Sequence, residues 1–479
     1  MLKELKLLDL KKCTSVGDIV KAMTLCSFGA RMLGEVSEKL TRWIENNENA
    51  IAIYDGKLNN SLGKLLQEMV NRQWLLKIVD SQEYSTQIND ELKEVKKGIV
   101  IGAYTEKYQD GIYNNLEEII FINTFGMAKP NQVSDGYYPN VVFSDPQFIM
   151  PVIFTVLEEN LEAKKTTITQ LINTLKNYEG LARETSQGAT VLLNMIKDPN
   201  CTVFLTLSGA MTIAKMGLIF CDMIDEKMVN GICSTGALMA HGLVESVGLK
   251  HFKYEPNDDD SNLAQQRLNR VTDTLEPETN LDHVEKILSK ILKKYDNKSF
   301  LSPRLFHQIV GKYLADEYEN DRGILKSAYL ENVPVFVPAF YDSEIGNDVY
   351  IHNLYRQENN QEKIIFNLEL DTDFLVEMVD NSQKIGIFSI GGGVPRNFIQ
   401  NISPLMEVAN ERGLTNFADK KFAYGCRICP DPMYYGHLSG CTYSEGISWR
   451  KMSEDGQFSE VHADATLILP FLVKYVMEN

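Results

Sequence analysis

Apolar runs of seven to ten residues alternate with longer amphipathic stretches along most of this chain. The runs are NAIAIYD (49–55), GIVIGAY (98–104), EIIFINT (118–124), CTVFLTLSG (201–209), VNGICSTG (229–236), VPVFVPAF (333–340), KIGIFSIGGG (384–393) and HADATLILP (462–470). Each is bounded by turn-forming residues and carries little polar alternation, as expected of strands buried on both faces. The wider stretch SEVHADATLILPFL (459–472) is read the same way, as a buried strand leading into a core. Between the runs, NLDHVEKILSKILKKY (280–295) and TDFLVEMVDNS (372–382) space their apolar residues as amphipathic helices do. Buried strands interleaved with helices predict an α/β fold built on a Rossmann-like, doubly wound, mostly parallel sheet. The segment HFKYEPNDDDSNLAQQ (251–266) is polar and acidic, and is expected to be an exposed excursion.

Open sheets of this kind bind ligands beyond the carboxyl ends of their strands. That directs attention to four loops: LSGAM (207–211), STGAL (234–238), PAFYDSEIGND (338–348) and GGGVPRN (391–397). The last runs from a strand through three glycines towards a helix, which lets backbone N–H groups approach a phosphate. Several small-residue loops on one sheet edge favour a dinucleotide crevice over an ordinary tight turn. The chain's 479 residues exceed one domain, so roughly two to four core units are expected. Residues 27–79 and 186–233 both begin S-x-G-A and both read helix, strand, small loop, helix, strand. We therefore expect an N-terminal α/β extension over 1–165, a possible degenerate half-repeat, before a catalytic domain over 166–479.

Charge narrows the partners. Asp and Glu number 65 against 48 Lys and Arg, a net charge of -17, so the surface repels nucleic-acid backbones and suits a cationic ligand. No apolar run reaches the ~18 residues that span a bilayer, and the N-terminus has no signal-peptide core, so a cytoplasmic location without membrane attachment is expected. The eight cysteines form no disulfide-like framework. Cys426, Cys429, His437 and Cys441 offer zinc-ligand types, but the first pair falls in KFAYGCRICP, a predicted buried strand, and small apolar thiols are the simpler reading. His241, just beyond the STGAL loop, is read as structural, and no metal is expected.

The chemical candidate is Lys451, in SEGISWRK (444–451). An amine held against Trp449 and away from water loses stability in its charged form, and the neutral nucleophile can form a Schiff base. Glu445, six residues earlier, offers a counter-charge or a proton carrier, and Trp449 offers a π-face to a cation.

The stretches SPRLFHQIVGK, VPVFVPAFYDSEIG, GGGVPRNFIQN, SEGISWRK and HADATLILPFLV, in that order, resemble the deoxyhypusine synthase family, as do CTVFLTLSGAM, MVNGICSTGA and LNRVTDTLEP upstream. The likeness covers roughly residues 186–475. It implies an NAD-binding domain that oxidises a polyamine, traps its aminobutyl group as an imine on a lysine, and passes the group to an acceptor amine. By that resemblance Lys451 is the imine-forming residue, and Glu445, Trp449, Asn397, Asn401, Asn347 and Ser439 belong to the substrate pocket. Ser208, Thr235, Asp342, Gly392, Gly393 and Asp464 fall at positions around the NAD. The chain departs from the family at Asn397, where a histidine is usual, and at Asn347 and Leu438, where carboxylates are usual. Ala240 and His241 replace an acidic pair. Fewer carboxylates mean fewer bound ammonium groups, which leaves the acceptor as either a protein lysine or a free diamine, the latter as in a homospermidine-type synthase. A non-catalytic NAD- or polyamine-binding homologue is the other reading. The resemblance also implies a homo-oligomer, a tetramer with sites shared between subunits.

Overall fold

The computed structural model describes residues 2–55, 58, 60–81, 84, 90–102, 115–123, 140–255, 259–295 and 300–479. Residues 56, 57, 59, 103, 104, 124 and 256–258 of the expected segments lie outside these. The chain divides into two compact units, and the division does not follow a single cut near residue 165. One unit holds Leu8–Ala189 together with Thr466–Asn479, and the other holds Met1–Leu7, Thr190–Lys253 and Asp258–Ala465.

The first unit is built on a parallel sheet of β1 (Ala50–Asp55), β2 (Lys77–Asp80), β3 (Lys97–Gly102), β4 (Glu118–Asn123) and β5 (Val141–Phe143), in the order β2-β1-β3-β4-β5. Ile51, Ile53, Val79 and Val100 join Leu92 and Leu116 in its core. The helix Ala465–Glu478, from Thr466 onward, belongs to this unit, and it corrects the reading of 462–470 as a strand. A short, uniformly apolar run cannot be assigned to strand or helix by periodicity, and a helix apolar all round is a buried helix. Leu467, Ile468, Leu469, Phe471, Leu472 and Val473 are all fully buried. At roughly 1.5–3 kcal/mol per buried side chain, they outweigh the ~3 kcal/mol cost of Pro470 inside the helix. The end of this helix is fixed by Glu478, whose carboxylate accepts from the N–H groups of Ile168 (3.2 Å) and Thr169 (2.7 Å). These are the free donors at the start of the helix Ile168–Leu175.

The second unit carries a six-stranded parallel sheet of β6 (Cys201–Leu207), β7 (Gly231–Ser234), β11 (Val335–Phe336), β12 (Lys384–Ile390), β13 (Phe422–Ile428) and β14 (Met452–Val461). Their spatial order is β11-β7-β6-β12-β13-β14, which counted within the sheet is 3-2-1-4-5-6. This is the order of a doubly wound sheet whose direction of winding reverses between its first and fourth strands, here β6 and β12. Those two pair over their whole length, from Lys384 opposite Cys201 to Ile390 opposite Leu207. Beyond Lys384 every residue of β12 is buried, as a strand covered on both faces requires. The run VPVFVPAF yields only two ladder residues, because Pro334 and Pro338 cannot donate to the sheet.

A small antiparallel sheet, β8 (Phe252–Lys253), β9 (Leu268–Val271) and β10 (Thr274–Pro277), is inserted between β7 and β11. It corrects the expectation of an exposed excursion at 251–266. Phe252 and Lys253 pair with Leu275 and Thr274, and His251, Lys253 and Tyr254 are buried. Asp260–Gln265 forms a short helix capped by Asp259.

Candidate active site

The β6–β12 junction holds the first half of the site. Ser208, directly after β6, donates its hydroxyl to the Ile390 carbonyl (2.9 Å) and accepts from the Gly392 N–H (3.0 Å). Its side chain therefore ties the two loops together across the reversal point. Gly391 follows at φ +75°, where a β-carbon would lie 2.1 Å from the Ser208 oxygen. Gly393, at φ +65°, faces open space and begins the helix Gly393–Gln400. A cavity of about 310 Å³ opens here, lined among others by Ser208, Thr235, Asp342, Gly392, Gly393 and Ser439. Five of the six residues expected around a cofactor thus meet in one cavity. Asp464, immediately before the helix Ala465–Glu478, is not part of its lining. Thr235 starts the helix Gly236–Ser246 without using its hydroxyl as a cap.

The second half adjoins it at Gly393. A pocket of about 300 Å³ is lined by Gly393, Asn397, Asn401, Leu438, Trp449 and Lys451, with Arg396, Gln400, Cys441, Thr442 and Gly446 completing the wall. Lys451 is half-buried. Its Nζ donates to Asn397 Oδ1 (2.9 Å) and stands 5.7 Å from the centre of the Trp449 ring. Burial lowers the Lys451 pKa from the ordinary lysine value; the Cys441 thiol opposes that shift and the buried Arg396 guanidinium adds to it. Desolvation thus acts on this amine as expected, although Trp449 is 65% exposed and supplies a face rather than a cover. The Lys451 backbone is fixed on both sides, its N–H bonded to the Gly446 carbonyl (2.9 Å) and its own carbonyl to the Phe422 N–H (3.0 Å).

Three expected substrate residues take other places. Glu445 is exposed and caps the helix Tyr443–Ser448 in a reciprocal box with Thr442; its carboxylate accepts from the Thr442 N–H at 2.9 Å. A hydrogen bond from Cys441 and that backbone bond hold its pKa below the usual carboxylate range. Ser439 lines the glycine-loop cavity rather than the lysine pocket, and its hydroxyl donates to Asp431. Asn347 is exposed on the helix Glu344–Glu358 and lines neither cavity. Arg396, Gln400, Cys441, Thr442 and Gly446 were not anticipated in this pocket. The helical spacing of 393, 396, 397 and 400 was the available signal, since it sets all four on one face. None of the residues lining the lysine pocket is Asp or Glu.

The cysteines at 426 and 429 are diverted from metal binding in the same way. Cys426 is fully buried in β13 and its thiol is pushed far up by burial, while Cys429 donates to the Ser439 carbonyl (3.6 Å). The grouping of metal-ligand type found among the described residues is His241, His251 and Glu276. It is an ion-pair network by its bonding. The Lys215 ammonium, which can only donate, lies 2.5 Å from His251 Nδ1 and 3.0 Å from Glu245. His251 must then carry its proton on Nε2, which faces Glu276 Oε1 at 3.1 Å, while His241 Nδ1 meets the other oxygen at 2.8 Å. A metal-binding imidazole donates from its far nitrogen, whereas this one accepts there. Burial alone would raise Glu276, but its two histidine partners hold it at about 2, whereas burial pushes Glu245 up to about 7 against the pull of Lys215.

The fold and the two adjoining cavities define a doubly wound α/β protein with a desolvated lysine beside a glycine-loop cleft. The family model described as Deoxyhypusine synthase matches residues 170–476, and the chain belongs to that family. It is 30% identical over 319 residues to "Probable deoxyhypusine synthase 2" of Methanosarcina acetivorans, covering 67% of this chain and 89% of that one. It is also 30% identical over 315 residues to "Deoxyhypusine synthase-like protein" of Chlorobaculum parvum, covering 65% and 86%. The family is one of transferases. Among the described residues no helix is long and apolar enough to cross a membrane.

Glu276→Ala should destabilise the second unit by about 3–5 kcal/mol at neutral pH, because the buried His251 and the partly buried His241 lose the carboxylate that faces them both. The folded pKa of Glu276 is depressed, so this stabilisation is complete above the ordinary glutamate value of about 4.3 and is lost as the pH falls towards about 2. Urea unfolding against pH should show the wild type and variant converging in acid; equal midpoints at neutral pH would contradict the network's role.

Proposed function

We propose that this protein is an NAD-dependent aminobutyl transferase of polyamine metabolism. The observation that carries this is the shared wall at Gly393, which sets the Lys451 pocket against the glycine-loop cavity. The residues present fit a dinucleotide. The cavity lies at the reversal point of the sheet, and Gly393 offers close backbone approach at the start of a helix. Gly392, Gly393, Thr235 and Asp342 would hold NAD there, with Ser208 fixing the loop. When bound there, NAD would supply the hydride acceptor that oxidation of the donor amine needs and the hydride that the final reduction needs.

The chain's own residues do the rest. Asn397 Oδ1 takes one N–H of Lys451 and so aims the nitrogen lone pair into the pocket. That nitrogen adds to the carbon of the oxidised donor imine, the bond from this carbon to the departing amine breaks, and a proton passes from Nζ to the leaving nitrogen. The acceptor amine reverses these steps and frees Lys451. Trp449 presents its face to the cationic substrate, and the amides of Asn397, Gln400 and Asn401 are the polar partners of its chain. Asn347, Glu445 and Ser439 lie outside this pocket wall, so their share in substrate binding would require a second subunit or substrate-induced movement.

A second copy is the partner we propose, consistent with a homotetramer. The helix Glu344–Glu358 exposes Tyr350 (56%), Ile351, Leu354 (42%) and Tyr355 on the face that carries Asn347. An apolar helical stripe of this kind is rarely left in water. The acidic surface argues against nucleic-acid partners, and eight cysteines that form no disulfide are consistent with the cytoplasm.

Incubation with NAD and a panel of di- and triamines, with and without a candidate protein acceptor, should give an aminobutylated product by mass spectrometry. Lys451→Ala should reduce the rate by roughly 10³-fold or more. A free-diamine product identifies a homospermidine-type reaction, a modified protein lysine identifies deoxyhypusine formation, and neither would leave a binding protein. Because the folded Lys451 pKa is depressed, the neutral fraction and the rate should rise with pH to a midpoint below that of an ordinary lysine. Tyr350→Lys with Leu354→Lys should shift the wild-type assembly towards monomer in light scattering; an unchanged mass would place the interface elsewhere.

A further inference from the structure

The turn that delivers Lys451 is closed by a residue of unusual conformation. The helix Tyr443–Ser448 ends at Trp449, after which Arg450 adopts φ +58°. The Arg450 N–H bonds to the Ile447 carbonyl (2.9 Å) and the Lys451 N–H to the Gly446 carbonyl (2.9 Å). This is the paired 5→2 and 6→1 bonding of a Schellman cap, in which the left-handed position is usually glycine. A residue with a β-carbon is strained there. Arg450 is held by something outside the turn: its guanidinium reaches Glu407 (2.8 Å) and Glu411 (3.2 Å) on the helix Ile402–Glu411. That helix continues through Asn401 from Gly393–Gln400, which carries Asn397. One side chain therefore links the turn presenting the amine to the helix pair presenting the amine's hydrogen-bond acceptor.

We propose that Arg450 is a positioning residue for Lys451, its two ion pairs holding a left-handed turn that keeps the amine inside the pocket against Asn397. The proposal rests on Lys451 as the reacting group, but its geometry can be tested without turnover. When the turn opens, the amine moves into water and regains the pKa of an exposed lysine. Two interactions should be separable. Glycine adopts the left-handed conformation without strain and so needs no ion pair, whereas a β-branched residue is strained further and has none.

The test is reductive methylation of Lys451 in the full-length chain, read by peptide mass spectrometry across the neutral-to-alkaline range with exposed lysines as internal standards. Wild type and Arg450→Gly should share a midpoint below the standards. Arg450→Val should move the midpoint up towards them, slowing modification at neutral pH about tenfold for each pH unit moved. Glu407→Gln with Glu411→Gln should shift the midpoint in the same direction, and adding Arg450→Gly should restore it. Should Arg450→Val fail to fold, this last pair of variants decides. Equal profiles in wild type and the Glu407→Gln/Glu411→Gln variant would overturn the proposal, as would an Arg450→Gly shift as large as that double variant's. Loss of product formation in the wild type, with the expected shifts still seen in the variants, would instead remove the transferase reading and leave the proposal for the turn intact.

Discussion

The site depends on the parallel pairing of β6 with β12. These strands are 177 residues apart in sequence when measured from Leu207 to Lys384, yet their ladder sets Ser208 beside Gly391 at the point where the sheet reverses its winding. The hydroxyl of Ser208 then bonds to both the Ile390 carbonyl and the Gly392 N–H, which fixes the glycine loop to the neighbouring strand. Everything placed by that loop inherits its position. Gly393 forms part of both cavities, and the helix that starts there carries Arg396, Asn397 and Gln400 on one face. The cleft and the lysine pocket are therefore consequences of one register.

Against that fixed wall, β13 and β14 bring in Lys451. Its carbonyl accepts from Phe422 at the start of β13, and its N–H closes the preceding helix. Only the side chain remains free to move, and burial of that side chain disfavours its charge. The second buried charge system, around Glu276, answers the same cost differently. There Lys215 is met by Glu245 and Glu276 by His241 and His251, and it is Glu245, pushed up to about 7, that answers burial by moving towards its neutral form. Lys451 has an amide as its partner instead of a carboxylate, which leaves the amine able to lose its proton.

Much of this was legible in the sequence. The strands β1, β3, β6 and β12 are largely apolar runs because both their faces are covered, and the glycine loop announced the cavity that receives Ser208, Thr235 and Asp342. The C-terminal run was misread because an all-round buried helix and a buried strand have the same composition over nine residues. Glu445 carried a helix-cap signature, Thr442-Tyr-Ser-Glu445, that local spacing alone could have shown. The His241–Glu276–His251 network was not visible, since its members come from a helix, an inserted strand and the loop before it. Their closeness is a product of tertiary folding, as is the absence of a carboxylate from the Lys451 wall.

The central claim is that the Lys451 amine is neutral enough, and close enough to a bound nicotinamide, to capture an imine. Borohydride reduction of the protein with NAD and isotopically labelled putrescine or spermidine, followed by peptide mapping, tests this most directly. The account predicts a four-carbon label on Lys451, dependent on NAD and absent from Lys451→Ala. Labelling spread over surface lysines, or no label with any polyamine, would contradict it.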